Sequence, residues 1–198
     1  MRSYTIFCSG LVLAGAMMLG GCKNNKSDKD HAPAGPAPAP AVSAVIPHNA
    51  VAAVRPTEGN KVTGWVKFTD LPDGSGVHVS AEVSGFDPNT QHGFHIHQFG
   101  DITDPKADNA GGHFDPLGTG HHGHPEDAPQ TRHGGDMGNL SADASGVAKL
   151  EMDLKGTTVA AILGRSVIVH AKADDFGQPT GNAGARIGAG VIGVAKAP

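Results

Sequence analysis

His92-Gly93-Phe94-His95-Ile96-His97 is the stretch on which the reading of this chain turns. On a β-strand side chains alternate between faces, so Phe94 and Ile96 point one way and His95 and His97 the other. One face can enter an apolar core while the other aims two imidazoles at a common point. Imidazole is the commonest protein metal ligand, and its nitrogen suits copper and zinc. His113, His121, His133 and Asp136 follow, with seven, eleven and two residues between them. Three imidazoles and a carboxylate make a tetrahedral zinc set. The same segment carries Gly111, Gly112, Pro116, Gly118, Gly120, Gly123, Pro125, Pro129, Gly134 and Gly135, a density that no strand or helix survives. A stretch of about forty residues without regular structure is uncommon in a compact domain unless it is functional or disordered. Metal ligation would close it where apolar packing cannot.

Outward from this stretch the chain has period two. Val62, Gly64, Val66 and Phe68 alternate with Thr63, Trp65, Lys67 and Thr69, and Val77, Val79, Ala81 and Val83 alternate with His78, Ser80 and Glu82. Pro72-Asp73-Gly74 and Phe86-Asp87-Pro88-Asn89 are turn signals. Further strands are predicted near 49–55, 91–98, 136–142, 146–152, 166–171 and 186–195. In Arg165-Ser166-Val167-Ile168-Val169-His170, the two valines would face the core and leave His170 on the opposite side. Eight short strands with polar outer faces predict an all-β chain, an antiparallel barrel or sandwich with at most a turn or two of helix. The 29 glycines agree with many turns.

The ends are of different composition. Residues 1–21 carry Arg2, an apolar run and then Leu19-Gly20-Gly21-Cys22, which reads as a secretory signal. Its ending resembles the bacterial lipobox, with Cys22 lipidated and becoming the mature N-terminus. Residues 22–48 are polar and then Pro/Ala-rich, a tether extending roughly 3.1 Å per residue. The expected domain is 49–198. These features imply an extracytoplasmic lipoprotein of the bacterial cell envelope, attached to the membrane through Cys22. The net charge is −4, with no basic run or aromatic platform, so nucleic acid is not expected as a partner. Of the two cysteines, Cys8 leaves with the leader and Cys22 is the lipid site, so the domain has no internal disulfide.

His95-x-His97, His113, His121, His133-x-x-Asp136, His170 and the closing Gly181-Asn182-Ala183-Gly184-Ala185-Arg186 together resemble copper–zinc superoxide dismutase. The resemblance covers about 49–198 and implies an eight-stranded Greek-key β-barrel or sandwich with a long metal-binding loop. It implies copper on His95, His97, His113 and His170, and zinc on His113, His121, His133 and Asp136, so that His113 is a shared imidazolate. It implies Asp174 as the aspartate bonded to His95 and His121, orienting both rings. Arg186 would hold the anionic substrate, with His113 and Arg186 as the catalytic pair. The implied reaction converts superoxide to oxygen and hydrogen peroxide. Copper would cycle between Cu(II) and Cu(I), His113 would carry a proton, and zinc would keep its valence. A non-catalytic copper- and zinc-binding envelope protein on the same fold is the competing reading.

Three departures from the family pattern stand out. His122 and His124 flank the chosen zinc ligand. His121 ranks first by its eight-residue offset from His113, either neighbour could replace it through a slip in register, and the extra pair otherwise reads as solvated. The family's loop disulfide is missing, with Ala107 and Ala189 at the aligned positions, so stability is expected to lean on bound zinc. The segment Asp175-Phe176-Gly177-Gln178-Pro179-Thr180-Gly181 is short and lacks the Lys and Glu residues that steer superoxide in the eukaryotic branch. The sequence leaves the subunit arrangement open.

Overall fold

The period-two stretches fold as strands. The computed structural model describes residues 46–196; the expected signal, Cys22 and the tether as far as residue 45 lie outside the described residues. β1 (Asn49–Pro56), β2 (Thr63–Asp70) and β3 (Gly76–Ser84) form an antiparallel meander, and β3 pairs with β6 (Val147–Lys155). β4 (Gln91–His97) lies between β5 (Asp136–Ser141) and β7 (Ser166–His170), and β7 pairs with β8 (Arg186–Val191). The strand order is β5-β4-β7-β8-β1-β2-β3-β6, so the chain crosses over between β3 and β4, as a Greek key requires. A bridge between Ala142 and Ala148 brings the two ends of this path together, and the sheet nearly closes into a barrel. Among the described residues α-helix is confined to one turn, α1 (Val159–Ile162), with the Thr158 side chain capping Ala161 N–H.

The core is the inward set that alternation predicts. Val66, Phe68, Val77, Val79, Val83, Phe94, Ile96, Val167 and Val169 are fully buried, each contributing roughly 1.5–3 kcal/mol. One predicted strand, 186–195, divides into β8 and the two-residue β9 (Gly193–Val194), giving nine strands among the described residues in place of eight. The break falls at Ile192, whose N–H and C=O bond to Arg165 O and Gly164 N, both at 2.9 Å, and so leave the ladder.

β4 and β7 are buried on both faces along almost their whole length. Their second face lies under the long loop, residues 98–135, which holds only two 3-10 turns, Asp108–Ala110 and Pro129–Thr131. The loop is fastened in two ways that need no metal. Ala107 and Ala189, aligned with the missing disulfide, form a small apolar cluster with Ala110 and Ile168. The fully buried Arg132 donates to the carbonyls of Asp127 (3.3 Å), His133 (2.8 Å) and Lys155 (3.1 Å), joining the loop to the end of β6.

Ile96, Phe114 and Gly135 also share three backbone hydrogen bonds of 2.8–2.9 Å, which bring two separate loop positions onto β4. A Cβ on Gly135 would sit 2.3 Å from Ile96 O and 3.1 Å from Phe114 Cβ, both fixed atoms. Gly135→Ala is therefore expected to lower stability by about 1–3 kcal/mol, the usual cost of overpacking. Thermal unfolding of the purified variant checks this, and an unchanged melting temperature would show that the loop does not depend on this approach.

Candidate metal centre

β4 carries His95 and His97 on the loop-covered face, and antiparallel pairing brings β7 and His170 alongside. A bridge between His97 and His113 draws the start of the loop to the same place. Three groups of side chains result, each with its ligand atoms within 4.8 Å of one another: His95, His97, His113 and His170; His113, His122, His133 and Asp136; and His95, His122 and Asp174. His113 belongs to the first two, and Asp174 joins them from behind.

Hydrogen bonds fix which nitrogen each ring turns inward. His97 donates from Nδ1 to Gly111 O (2.9 Å) and His170 from Nδ1 to Gly184 O (3.1 Å). Their Nε2 lone pairs then face each other at 3.3 Å, an arrangement that a cation between them relieves. His95 donates from Nε2 to Asp174 Oδ2 (2.8 Å), and His122 donates from Nε2 to the same carboxylate (2.9 Å). His113 donates from Nδ1 to Asp136 Oδ1 (2.8 Å), leaving Nε2 for the first group. Asp136 Oδ2 also accepts from the N–H groups of Gly123 and His133, both at 3.1 Å. The Nδ1 atoms of His95, His122 and His133 are buried with no hydrogen-bond partner. For His122 the 3.0 Å approach to Asp136 Oδ1 lies outside hydrogen-bond geometry. Buried polar atoms without partners are rare and costly, and here they converge on two points. The donor set fits two cations.

The electrostatics agree. Burial lowers His95 to about 3 and His170 to about 4, and it holds His97 and His113 below the ordinary histidine value. All four are thus neutral at pH 7, which is the ligating form. Burial opposes ionisation of Asp136 and Asp174, yet the hydrogen bond from His113 and the close approaches of the His122 and His133 rings to the first, and hydrogen bonds from His122 and His95 to the second, hold both below the usual carboxylate range. Burial also works against protonation of His122, but Asp136 and Asp174 outweigh it and raise the ring to about 9. Capture of a cation by this ring therefore displaces a proton.

Arg186 sits at the mouth. It donates to the carbonyls of Ala107 and Gly111 (2.6 Å to Gly111) and, with His97, His113, His170, Thr180 and Asn182, lines a cavity of about 210 Å³.

The sequence ranking of His121 needs correction. His121 is exposed and belongs to none of the three groups; His122 is buried and occupies the place expected for it, including the bond to Asp174. A fixed offset fails because the segment turns at Gly118 and Gly120, both at φ +65. The Gly120 N–H is held by Asp115, and the Gly123 N–H by Asp136, so the residue between exposed His121 and Gly123 faces inward. His124 is exposed, as expected, but stacks on Phe176 with centroids 3.6 Å apart. Sequence reasoning also passed over His92, which donates to His170 O at 2.8 Å and stacks on Phe86, and Arg132. The His92 signal was available, since it lies on β4 two residues before Phe94.

These features define a class, a β-barrel metalloprotein with two adjoining cation-binding groups that share one imidazole. A sequence model of the family "Copper/zinc superoxide dismutase (SODC)" matches residues 62–192. The chain is 45% identical over 157 residues to "Superoxide dismutase [Cu-Zn]" of Candida albicans, covering 74% of this chain and 98% of that one. It is 43% identical to the protein of the same name from Paramecium bursaria Chlorella virus 1, covering 74% and 80%. Among solved structures it resembles the one titled "Crystal Structure Analysis of the clock protein EA4", with a TM-score of 0.69 and 35% identity, covering 78% and 99% of the two chains. The chain belongs to the copper/zinc superoxide dismutase family, whose members are oxidoreductases and whose metals are copper and zinc.

Two measurements test the second group. His122→Ala should weaken zinc binding by about 100-fold or more, beyond the 10–100-fold typical of outer partners, while His121→Ala should leave it unchanged. Competition against a chelator reads both, and equal losses would reject the inward register of His122. Zinc at a thousandfold excess over its dissociation constant adds about 4 kcal/mol of stability, or roughly 10 °C in melting temperature for a chain of this size. Chelated protein should melt lower by that order.

Proposed function

We propose that His95, His97, His113 and His170 hold copper, that His113, His122, His133 and Asp136 hold zinc, and that the pair disproportionates superoxide to oxygen and hydrogen peroxide. One observation carries this reading: a single ring, His113, belongs to both groups with opposite nitrogens. When bound, copper supplies one-electron redox chemistry and zinc a fixed charge.

The chain's own residues supply the remainder. Arg186, whose guanidinium is held by the carbonyls of Ala107 and Gly111, presents a cation to an anion entering the cavity. His113 has Nδ1 committed on the Asp136 side, so its Nε2 is the atom that can hold a proton and pass it to the reduced substrate. Asp174 keeps His95 and His122 in one tautomer throughout. Two superoxide ions and two protons give one oxygen and one hydrogen peroxide, so no outside reductant is needed. Copper- and zinc-loaded protein should consume superoxide, His95→Ala should abolish the activity, and Arg186→Gln should lower the rate constant by about tenfold or more. An unchanged rate in His95→Ala would reject the assignment.

The address is part of the same proposal. Residues 1–21 as a signal, lipidated Cys22, the 22–48 tether and the 49–198 domain would place the enzyme in the bacterial cell envelope, in the lipoprotein branch of the family. Supporting this are the apolar run, Leu19-Gly20-Gly21-Cys22 and the Pro/Ala-rich sequence after it. Among the described residues no helix is long and apolar enough to cross a membrane. Cys22→Ser should therefore move the protein from the membrane pellet to the soluble fraction of expressing bacteria. Equal partitioning of variant and wild type would remove the lipid from the account.

A further inference from the structure

The short segment between β7 and β8 has no role in the zinc group beyond Asp174, yet it grips the long loop at one place. Gln178 Oε1 accepts from His122 N–H at 3.0 Å, and Gln178 Nε2 donates to His122 O at 2.7 Å. One side-chain amide thus satisfies both backbone groups of a single residue, as a neighbouring strand would. The pairing also fixes the amide orientation, since reversal would set like groups against each other. Two residues on, the His124 ring lies on Phe176, and the His122 ring itself is held by Asp174. The gripping segment is internally braced. Gly181 N–H bonds to Gly177 O (2.6 Å), and Asn182 Nδ2 bonds to both Asp175 oxygens (3.2 and 3.1 Å).

Resting on the zinc assignment proposed above, we infer that Gln178 is a positioning residue for zinc: it clasps the His122 backbone so that Nδ1 stays aimed at Asp136 and His133. The ring donates from Nε2 to Asp174, but that bond alone lets the ring pivot about Nε2 and the backbone shift. Fixing both the N–H and the C=O removes that freedom. The clasp is needed here because the turns at Gly118 and Gly120 carry His122 on Gly-rich backbone, and no disulfide ties the loop down. It also links the zinc group to the cavity, because the same short segment supplies Thr180 and Asn182 to the cavity wall.

The test is zinc release from the loaded full-length protein into excess chelator, followed by absorbance of a zinc-sensitive dye. Gln178→Ala should release zinc about tenfold faster than wild type, in the range for outer partners of a metal ligand. Gln178→Glu keeps the acceptor for His122 N–H but sets a carboxylate against His122 O, and should release zinc as fast as the alanine variant. Gln91→Ala, an exposed glutamine on β4 bonded to Ser141, should behave as wild type. Cobalt placed in the zinc group should show an altered visible spectrum in both Gln178 variants. The zinc-free forms of all four proteins should melt together. A lower melting temperature of zinc-free Gln178→Ala would make the clasp a general brace and overturn the inference. Zinc release at the wild-type rate would overturn it as well, leaving the metal assignment standing. Wild-type protein that takes up no zinc would bring down the assignment and the clasp together.

Discussion

Buried imidazole nitrogens with nothing to bond set the terms for this molecule. Nδ1 of His95, His122 and His133 is enclosed without a partner, and the Nε2 atoms of His97 and His170 face each other at 3.3 Å. Each unsatisfied buried group costs about 1–3 kcal/mol, so the protein alone holds this arrangement only at considerable expense in stability. Cations remove that cost and turn it into affinity. The anionic state of Asp136 and the neutrality of the four imidazoles in the first group both serve the same end: a site close to its ligating protonation state, with the extra proton on His122 and the Nδ1 proton of His113 left to displace.

The barrel makes such a site tolerable. A strand with one wet face could not aim its polar side chains at each other in a dry place. β4 and β7 have their apolar sides in the core and their histidine sides under the long loop, so the imidazoles are buried by chain that carries no apolar stripe of its own. Apart from Phe114 and the small Ala107–Ala189 cluster, the loop is therefore attached by polar means. Backbone bonds among Ile96, Phe114 and Gly135 and the three carbonyls taken by Arg132 provide that attachment, while the Gln178 clasp acts on the His122 backbone alone.

That division explains what the sequence disclosed. Strands are written in period two, and the inward sets Val66/Phe68 and Val77/Val79/Val83 were legible because each residue's face follows from its neighbour's. His95, His97 and His170 inherit the same rule. The loop obeys no period: whether His121 or His122 faces inward depends on two left-handed glycines and on which N–H groups Asp115 and Asp136 accept. No count of residues encodes that choice. Ile192 is similar, since the strand breaks there only because Gly164 and Arg165 arrive from another part of the chain. Gln178 and Arg132 were illegible for a further reason. Their partners are backbone carbonyls and amides, which every residue possesses, so composition gives no hint of them.

Arg186 shows how the lack of a disulfide bears on function. Ala107 joins Ala189 only through a small apolar cluster, and the guanidinium takes the carbonyls of Ala107 and Gly111 from the same loop segment. In a chain with a covalent tie, those bonds would merely orient the arginine. Here they also hold the loop, so the group that meets the substrate and the group that anchors the loop beside it are one side chain. Neutralising or moving that charge must therefore disturb the shape of the cavity as well as its potential. Because Gly111 O also accepts from His97 Nδ1, the disturbance reaches the ring whose Nε2 faces His170.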